Sequence, residues 1–479
     1  MSRQWSAQQS AIFNWFECGA GHLVVKARAG TGKTTTIVEA VTRAPESSII
    51  VCAFNKLIAT ELTERVSAFA PRIQAKTLHS LGYDCVRRSL GRMQIDADRG
   101  MRLAKLVCDG ERKSAMVVQR IASLAKGAYP FPASLEGMTD FVLDSDIDLG
   151  DFEPEWIADR AYAAMQEAAQ YDGTCDFDDM VWLPAALGLA RPRFKLSVVD
   201  EAQDMNASQI LLAQALTDGR ICVVGDDRQA IYGFRGADSG SIDRLKRELN
   251  ATELSLTVTY RCPKTVVELA REIVPDYQAA DSAPDGSVST VSELDLLSKV
   301  RPNDFVLSRT NAPLVRVCLL LIRRGMRARI QGRDVAAQIK TLTLKVSGGE
   351  NMTIPGFAKA LEQWREREMN WAAKLEGDRG ERKRQLIEDQ CDTLLALCEG
   401  ADTLFDIHSR LETLFSSEAD ADRDYVVLSS VHKSKGLERE RVWLLEESFK
   451  HGAIGEEANI RYVAITRSKS VLQLVQPAA

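Results

Sequence analysis

The chain of 479 residues holds only five histidines, and its ten cysteines never form a CxxC pair. Structural zinc needs clustered thiolate and imidazole ligands at short spacings. That class of fold is not supported, and the cysteines read as buried thiols in a reducing compartment. Uninterrupted apolar runs of about 18 residues are absent, and residues 1–10 hold no basic segment leading into an apolar one. Neither a membrane span nor a secretory leader is expected, which leaves the cytoplasm. Basic residues are not in excess: 61 Lys and Arg face 67 Asp and Glu, for a net charge of −6 and a pI near 5.7. A general cationic coat for a polyanion is thereby excluded, and only a local basic groove could hold one. No internal repeat period is evident. Against these absences, 45% of the residues are hydrophobic, enough for several packed cores and roughly two to four domains.

What is present is a phosphate-binding pattern. Residues 23–26 (LVVK) form a short apolar run. They lead into Ala27-Arg28-Ala29-Gly30-Thr31-Gly32-Lys33-Thr34, followed by a helical pattern through Ala40. Strand, glycine-rich turn and helix thus stand in the order that points backbone N–H groups and a helix N-terminus at phosphate oxygens. Ala29, Gly30, Thr31, Gly32, Lys33, Thr34 and Thr35 are the candidate nucleotide-binding residues. Lys33 is placed to reach the β- and γ-phosphates, and Thr34 to hold Mg²⁺ through its hydroxyl. The first position of the general pattern, usually glycine, is Ala27.

A second apolar run, residues 194–199, ends in Asp200 and Glu201. Adjacent carboxylates at a strand exit suit Mg²⁺–ATP: Asp200 as a metal residue, Glu201 as the base that activates water. A third run, residues 221–224, leads to Gln229, a candidate γ-phosphate sensor. Apolar strands separated by helical segments predict an α/β fold with a parallel sheet, its ligand beyond the carboxyl ends of the strands.

Further segments extend the series in a fixed order: Trp5 to Gln9 (WSAQQ), Ala53 to Lys56 (AFNK), Thr77 to Ser80 (TLHS), Phe177 to Met180 (FDDM), Asp200 to Asp204 (DEAQD) and Gly225 to Asp238 (GDDRQAIYGFRGAD). Thr259 to Pro263 (TYRCP), Leu307 to Asn311 (LSRTN), Val431 to Glu438 (VHKSKGLE) and Tyr462 to Arg467 (YVAITR) follow. Together they resemble the motifs of superfamily 1 helicases of the UvrD, Rep and PcrA type, nearly end to end. The compact form is similar to small phage or F-box-helicase-type relatives, and for a phage-encoded chain the expected location is the host cytoplasm.

The resemblance implies two RecA-like P-loop motor domains with parallel sheets, each interrupted by a mainly helical accessory insertion. It implies ATP and Mg²⁺ as cofactors, and Lys33, Glu201, Gln229, Arg261 and Arg467 as catalytic residues. In relatives the matching arginines reach the γ-phosphate across the cleft between the motors. Gln9 matches the adenine-reading position, Tyr260 the residue that stacks on the base, and Glu438 the ribose contact. Relatives carry an arginine where Thr35 stands. The DNA path is expected to use stacking and backbone contacts rather than base-edge readout. Phe54, Tyr232 and Phe234 are the aromatic candidates; Thr77, His79, Arg235, Arg309 and His432 are the polar ones. The SKGLE wording of Ser434 to Glu438 resembles the branch that moves 3′ to 5′.

The expected division is 1–85 and 170–259 for the first motor, with 86–169 inserted, and 260–335 and 424–479 for the second, with 336–423 inserted. Helical runs are read around 99–125, 155–170, 355–376 and 380–399. Leu361, Trp364, Trp371 and Leu375 read mainly as packing residues of the second insertion. That insertion is shorter than in Rep or UvrD. The function implied is an ATP-dependent 3′–5′ DNA helicase and single-stranded DNA translocase of repair, recombination or replication. It would act as a monomer on single strands and single-strand/duplex junctions, with recombination or replication proteins as partners and no membrane. A translocase that strips bound proteins with little unwinding, and a nonenzymatic DNA-binding protein, stay open as alternatives.

Overall fold

The computed structural model describes residues 4–476 except 54, 70, 129–130, 133, 146, 148, 151, 232–240, 349–351, 374–376, 417–423, 451 and 453. The chain divides into two compact units, Met1–Thr257 and Val258–Ala479.

In the first unit, strands β1 (Leu23–Ala27), β2 (Ile49–Ala53) and β3 (Ile73–Thr77) precede a small ladder of β4 (Gln94–Ile95) with β5 (Thr174–Cys175). Strands β6 (Phe194–Val199), β7 (Thr217–Gly225) and β8 (Thr252–Leu256) follow. Six of them form one parallel sheet in the order β3-β2-β6-β7-β1-β8. Side chains alternate across a strand, and both faces here are apolar. Leu23, Val25, Ile49 and Val51 join one core cluster, while Val24, Ile50 and Cys52 join another on the opposite face. A sheet covered on both faces needs such continuous apolar strands, which is why they were readable from composition alone. β1, β6 and β7 are neighbours, so the three segments that leave their carboxyl ends meet in space.

Helix Ala7–Cys18 packs over this sheet through Ile12, Phe13, Trp15 and Phe16. Arg220 of β7 holds its end: the guanidinium donates to the carbonyls of Trp15 (2.7 Å), Gly19 (2.8 Å) and Phe16 (2.9 Å). A cation on the last carbonyls of a helix satisfies orphan acceptors and complements the dipole. The segment carrying Gln9 is thereby tied to the strand that leads to Gln229.

Between β3 and β6 lies a helical layer with its own core, built by helices Arg99–Val107, Arg112–Gly127, Leu135–Asp144 and Pro154–Ala169. The helical stretch read around 99–125 is two helices, parted where Asp109 (φ 51°) and Gly110 (φ 82°) turn left-handed and Gly110 N donates to the Lys105 carbonyl (2.8 Å). This layer is joined to helix Phe177–Ala186 by a buried charge cluster. Asp179, fully buried, receives Arg99 Nη1 and Lys126 Nζ, each at 2.6 Å, and both cations are themselves buried. Removing one member of such a cluster leaves an uncompensated buried charge. Asp179→Ala is expected to destabilise the first unit by about 3–5 kcal/mol, read from the urea midpoint. An unchanged midpoint would show that the cluster does not hold the layer in place.

The second unit opens with the short pair β9 (Val258–Thr259) and β10 (Gln278–Ala279). Its main sheet contains β11 (Ser287–Ser292), β12 (Phe305–Ser308), β13 (Ala328–Gln331), β14 (Phe415–Ser416), β15 (Val426–Ser430), β16 (Arg439–Leu445) and β17 (Ser468–Gln476). Their order is β11-β17-β16-β12-β15-β13-β14, with every pairing parallel. Helices Arg333–Ser347, Ile354–Ala372, Gly377–Cys398 and Leu404–Leu414 stand between β13 and β14. Leu361 and Trp364 are buried in the unit's core and Trp371 packs against it; Leu375 lies outside the described residues. Asp389 of helix Gly377–Cys398 accepts from the backbone N–H of Asn311 (2.7 Å) and Ala312 (3.1 Å) and from Asn311 Nδ2 (2.8 Å). The inserted helices are thus pinned to the start of helix Ala312–Arg323. The parallel α/β architecture expected from the sequence is present in both units. No helix among the described residues is long and apolar enough to cross a membrane.

Candidate active site

The turn after β1 passes through Gly30 (φ 68°) and Gly32 (φ 79°), left-handed values that favour glycine. Gly32 caps helix Lys33–Arg43 without a side-chain hydrogen bond to its first N–H groups. Thr34 and Thr35 sit half-buried in that helix's first turn. Lys33 Nζ lies 2.9 Å from both carboxylate oxygens of Glu201. Burial pulls the Lys33 ammonium down, but the charges of Glu201, Asp200 and Asp226 outweigh it and raise its pKa. Glu201 has a left-handed backbone (φ 54°, ψ 40°), a strained conformation for a residue with a Cβ and one that clusters at functional sites. Asp200 is buried at the end of β6. Burial and the neighbouring Glu201 push its carboxyl up to about 7, opposed by Lys33.

Gln229 is held from β7: its Nε2 donates to Asp226 Oδ2 at 2.7 Å. The Asp226 N–H in turn donates to Gln203 Oε1 (3.1 Å), and Gln203 Nε2 donates to Glu201 Oε2 (2.6 Å). Gly225 makes this contact possible, since a Cβ there would meet Gln203 Oε1 at 2.5 Å. Lys33, Asp200, Glu201 and Gln229 are therefore brought together by three adjacent strand ends. On the other side of the loop, Gln9 closes a capping box with Ser6, and its Nε2 donates to Thr36 Oγ1 (3.0 Å). Both ends of the Gln9 amide are engaged, so reading a base requires it to exchange partners.

In the second unit, Tyr277 packs on the helix Glu456–Ile465, and the TYRC segment meets the turn after it through Cys262. Tyr277 meets Tyr462 edge-on at 5.6 Å, and Cys262 Sγ lies 3.7 Å from the Thr466 carbonyl. Arg261 pairs with Glu438, which also takes Lys469 Nζ at 2.8 Å. Arg467 is buried, with Nε on the Val463 carbonyl (2.9 Å) and Nη1 on that of Leu437 (3.3 Å). Burial, then the nearby Arg261 charge, bring its pKa down to about 10. Tyr260 stands 54% exposed beside this group, as a ring available for stacking must be.

The UvrD/REP helicase N-terminal domain matches residues 5–250, and the UvrD-like helicase C-terminal domain matches residues 340–476. The chain belongs to the UvrD/REP helicase family. Among similar proteins, a probable DNA helicase II homolog of Mycoplasma pneumoniae is 28% identical over 323 residues, covering 60% of this chain and 44% of that protein. The ATP-dependent DNA helicase PcrA of Staphylococcus aureus is 26% identical over 282 residues, covering 53% and 38%. PcrA of Bacillus subtilis is 25% identical over 288 residues, covering 53% and 37%. The matched part is under half the length of each of these relatives.

In this UvrD/REP-family chain the remaining described candidates, Thr77, His79, Arg309 and His432, stand in or next to β3, helix Leu78–Leu90, β12 and helix Val431–Ser434. Phe54, Tyr232, Phe234 and Arg235 lie outside the described residues. Thr77 caps helix Leu78–Leu90 by accepting from Ser80 N. His79 meets the exposed ring of Phe177 edge-on at 6.3 Å, and burial pulls its pKa down. Arg309 is committed to a bidentate pair with Glu457 at 2.8–3.1 Å, which any role as a DNA contact has to displace. His432 is half-buried in the short helix Val431–Ser434. Sequence reasoning gave no role to Arg28, Gln203 or Asp226, although each stands inside a quoted motif. The signal they share is a charged or amide side chain in the turn that leaves a strand.

Proposed function

We propose that the chain is an ATP-dependent DNA helicase and single-stranded DNA translocase moving 3′ to 5′. The observation that carries this reading is the meeting of Lys33, Asp200, Glu201 and Gln229 at the carboxyl ends of β6, β7 and β1. The buried Asp200 carboxylate and the Thr34 hydroxyl offer hard oxygen donors. Burial disfavours charge on Asp200 until a cation compensates it, so these two residues fit Mg²⁺. An Mg²⁺ held there would supply positive charge that offsets the charge of the phosphates during phosphoryl transfer.

The steps performed by the protein follow from its charges. Incoming phosphates compete with Glu201 for Lys33, and the ammonium turns to the β- and γ-oxygens. Glu201, released, accepts the proton of the attacking water. Gln229 orients that water and reports the γ-phosphate, while Arg261 and Arg467 contribute positive charge as negative charge spreads in the transition state. Gln9, Tyr260 and Glu438 hold the nucleoside. Phe54, Tyr232 and Phe234 stack on bases, and Thr77, His79, Arg235, Arg309 and His432 contact the strand or couple it to the nucleotide. Residues 86–169 and 336–423 serve as the accessory domains. The polarity rests on the likeness of Ser434 to Glu438 to the 3′–5′ branch. Repair, recombination or replication, in the cytoplasm and as a monomer, is the proposed setting.

ATP hydrolysis with and without single-stranded DNA, measured beside unwinding of duplexes with 3′ or 5′ overhangs, tests the whole reading. Stimulation together with unwinding from the 3′ overhang is expected. Hydrolysis indifferent to DNA sinks the motor. Stimulation without unwinding selects the protein-stripping translocase instead, and unwinding only from the 5′ overhang reverses the polarity.

A further inference from the structure

The phosphate loop carries a guanidinium that its phosphate chemistry does not use. Arg28 follows β1 directly, and its backbone N–H donates to the Leu256 carbonyl of β8 (2.9 Å). Its carbonyl accepts the Thr31 hydroxyl (2.8 Å), which shapes the loop. The side chain is 9% exposed and turns towards β7, where Nη1 lies 3.1 Å from Asp226 Oδ1 and 2.6 Å from Asp227 Oδ1. Burying a guanidinium is unfavourable unless carboxylates compensate it. Here two do, and the first is fully buried itself.

Asp226 is the branch point of the network. Its Oδ1 takes Arg28 and the Arg228 N–H (3.1 Å), its Oδ2 takes Gln229 Nε2, and its own N–H leads through Gln203 to Glu201. An ionised carboxylate can only accept. It therefore requires the NH₂ end of the Gln229 amide and assigns Oε1 to the amide's other partners. An amide oxygen is the end that can accept a hydrogen bond from the attacking water, and so hold it for Glu201.

We propose that Arg28 is a positioning residue for hydrolysis: by clasping Asp226 and Asp227 it fixes the carboxylate that sets the orientation of the Gln229 amide. Arg28 thus links the loop that binds the phosphates to the strand end that senses them. This inference rests on the ATPase reading above.

The test is a double-mutant cycle between Arg28 and Gln229, read by kcat and KM for ATP with saturating single-stranded DNA. Arg28→Met should lower kcat by about 10²-fold, the usual consequence of misplacing a reacting group from a distance, with KM for ATP within about threefold of wild type. In a Gln229→Ala background the same substitution should cost less than about twofold more, because interacting residues are not additive. Arg28→Lys keeps one buried positive charge for the carboxylates, and it provides the same cycle if Arg28→Met does not fold. Multiplicative losses in the two backgrounds, or a loss confined to KM, overturn the assignment while leaving the ATPase reading intact. A wild-type protein without ATP turnover removes both.

Discussion

Glu201→Gln is expected to lower ATP turnover by about 10²–10⁴-fold, the contribution typical of a positioned general base, while nucleotide binding is kept or tightened. The two effects separate because Glu201 plays two parts. In the structure it is the partner of Lys33, with both carboxylate oxygens 2.9 Å from the ammonium. That pair must open before Lys33 can meet a phosphate, and an anion beside the γ-phosphate opposes binding. Glutamine is nearly isosteric, can still accept from Gln203 Nε2 and Lys33, and removes the opposing charge. It is far too weak a base to take a proton from water. Binding of a fluorescent ATP analogue and single-turnover hydrolysis, measured on the same preparation, check the claim. Turnover within tenfold of wild type excludes Glu201 as the base. Weakened binding with a normal hydrolysis step assigns it to nucleotide affinity instead.

The parts of this arrangement that were legible in the sequence are those in which local chemistry dictates geometry. Runs such as 23–26, 194–199 and 221–224 are mostly apolar on both faces because helices cover both sides of a parallel sheet, so the composition of these short runs, with the turns that follow them, places β1, β6 and β7. The glycines of the loop are legible because Gly30 and Gly32 occupy backbone conformations that a Cβ disfavours. What composition and spacing did not disclose is pairing at long range. Arg28 and Asp226 are ordinary charged residues in sequence, and their contact follows from β1 lying next to β7, a matter of strand order. The Arg99–Asp179–Lys126 cluster was hidden for the same reason, since its members come from three separate helices. Helix Leu135–Asp144 was not read either. Its buried positions reduce to Met138 and Val142, too few to build a clear helical period.

Arg261→Ala is expected to reduce kcat by about 10³–10⁵-fold, the range for an arginine that stabilises a transferring phosphoryl group, with little change in stability. The stability half of this prediction follows from the surroundings of Arg261. Its pair with Glu438 is partly exposed, at 23% and 31% of the two side chains, and such pairs contribute about 0–1 kcal/mol. Glu438 also keeps Lys469 Nζ at 2.8 Å. Releasing Arg261 to a phosphate therefore leaves no carboxylate stranded, and the exchange is cheap in both directions. Arg467 differs. Its guanidinium is buried and donates to the carbonyls of Val463 and Leu437, so Arg467→Ala leaves those acceptors without their donors, removes the charge, and should lower the melting temperature along with activity. The informative measurement is thus on Arg261: kcat, KM for ATP and thermal midpoint of Arg261→Ala beside wild type. A collapse of kcat at an unchanged midpoint assigns the residue to the transition state. A kcat within tenfold of wild type confines it to its pair with Glu438 and leaves the phosphoryl charge to Lys33 and Arg467.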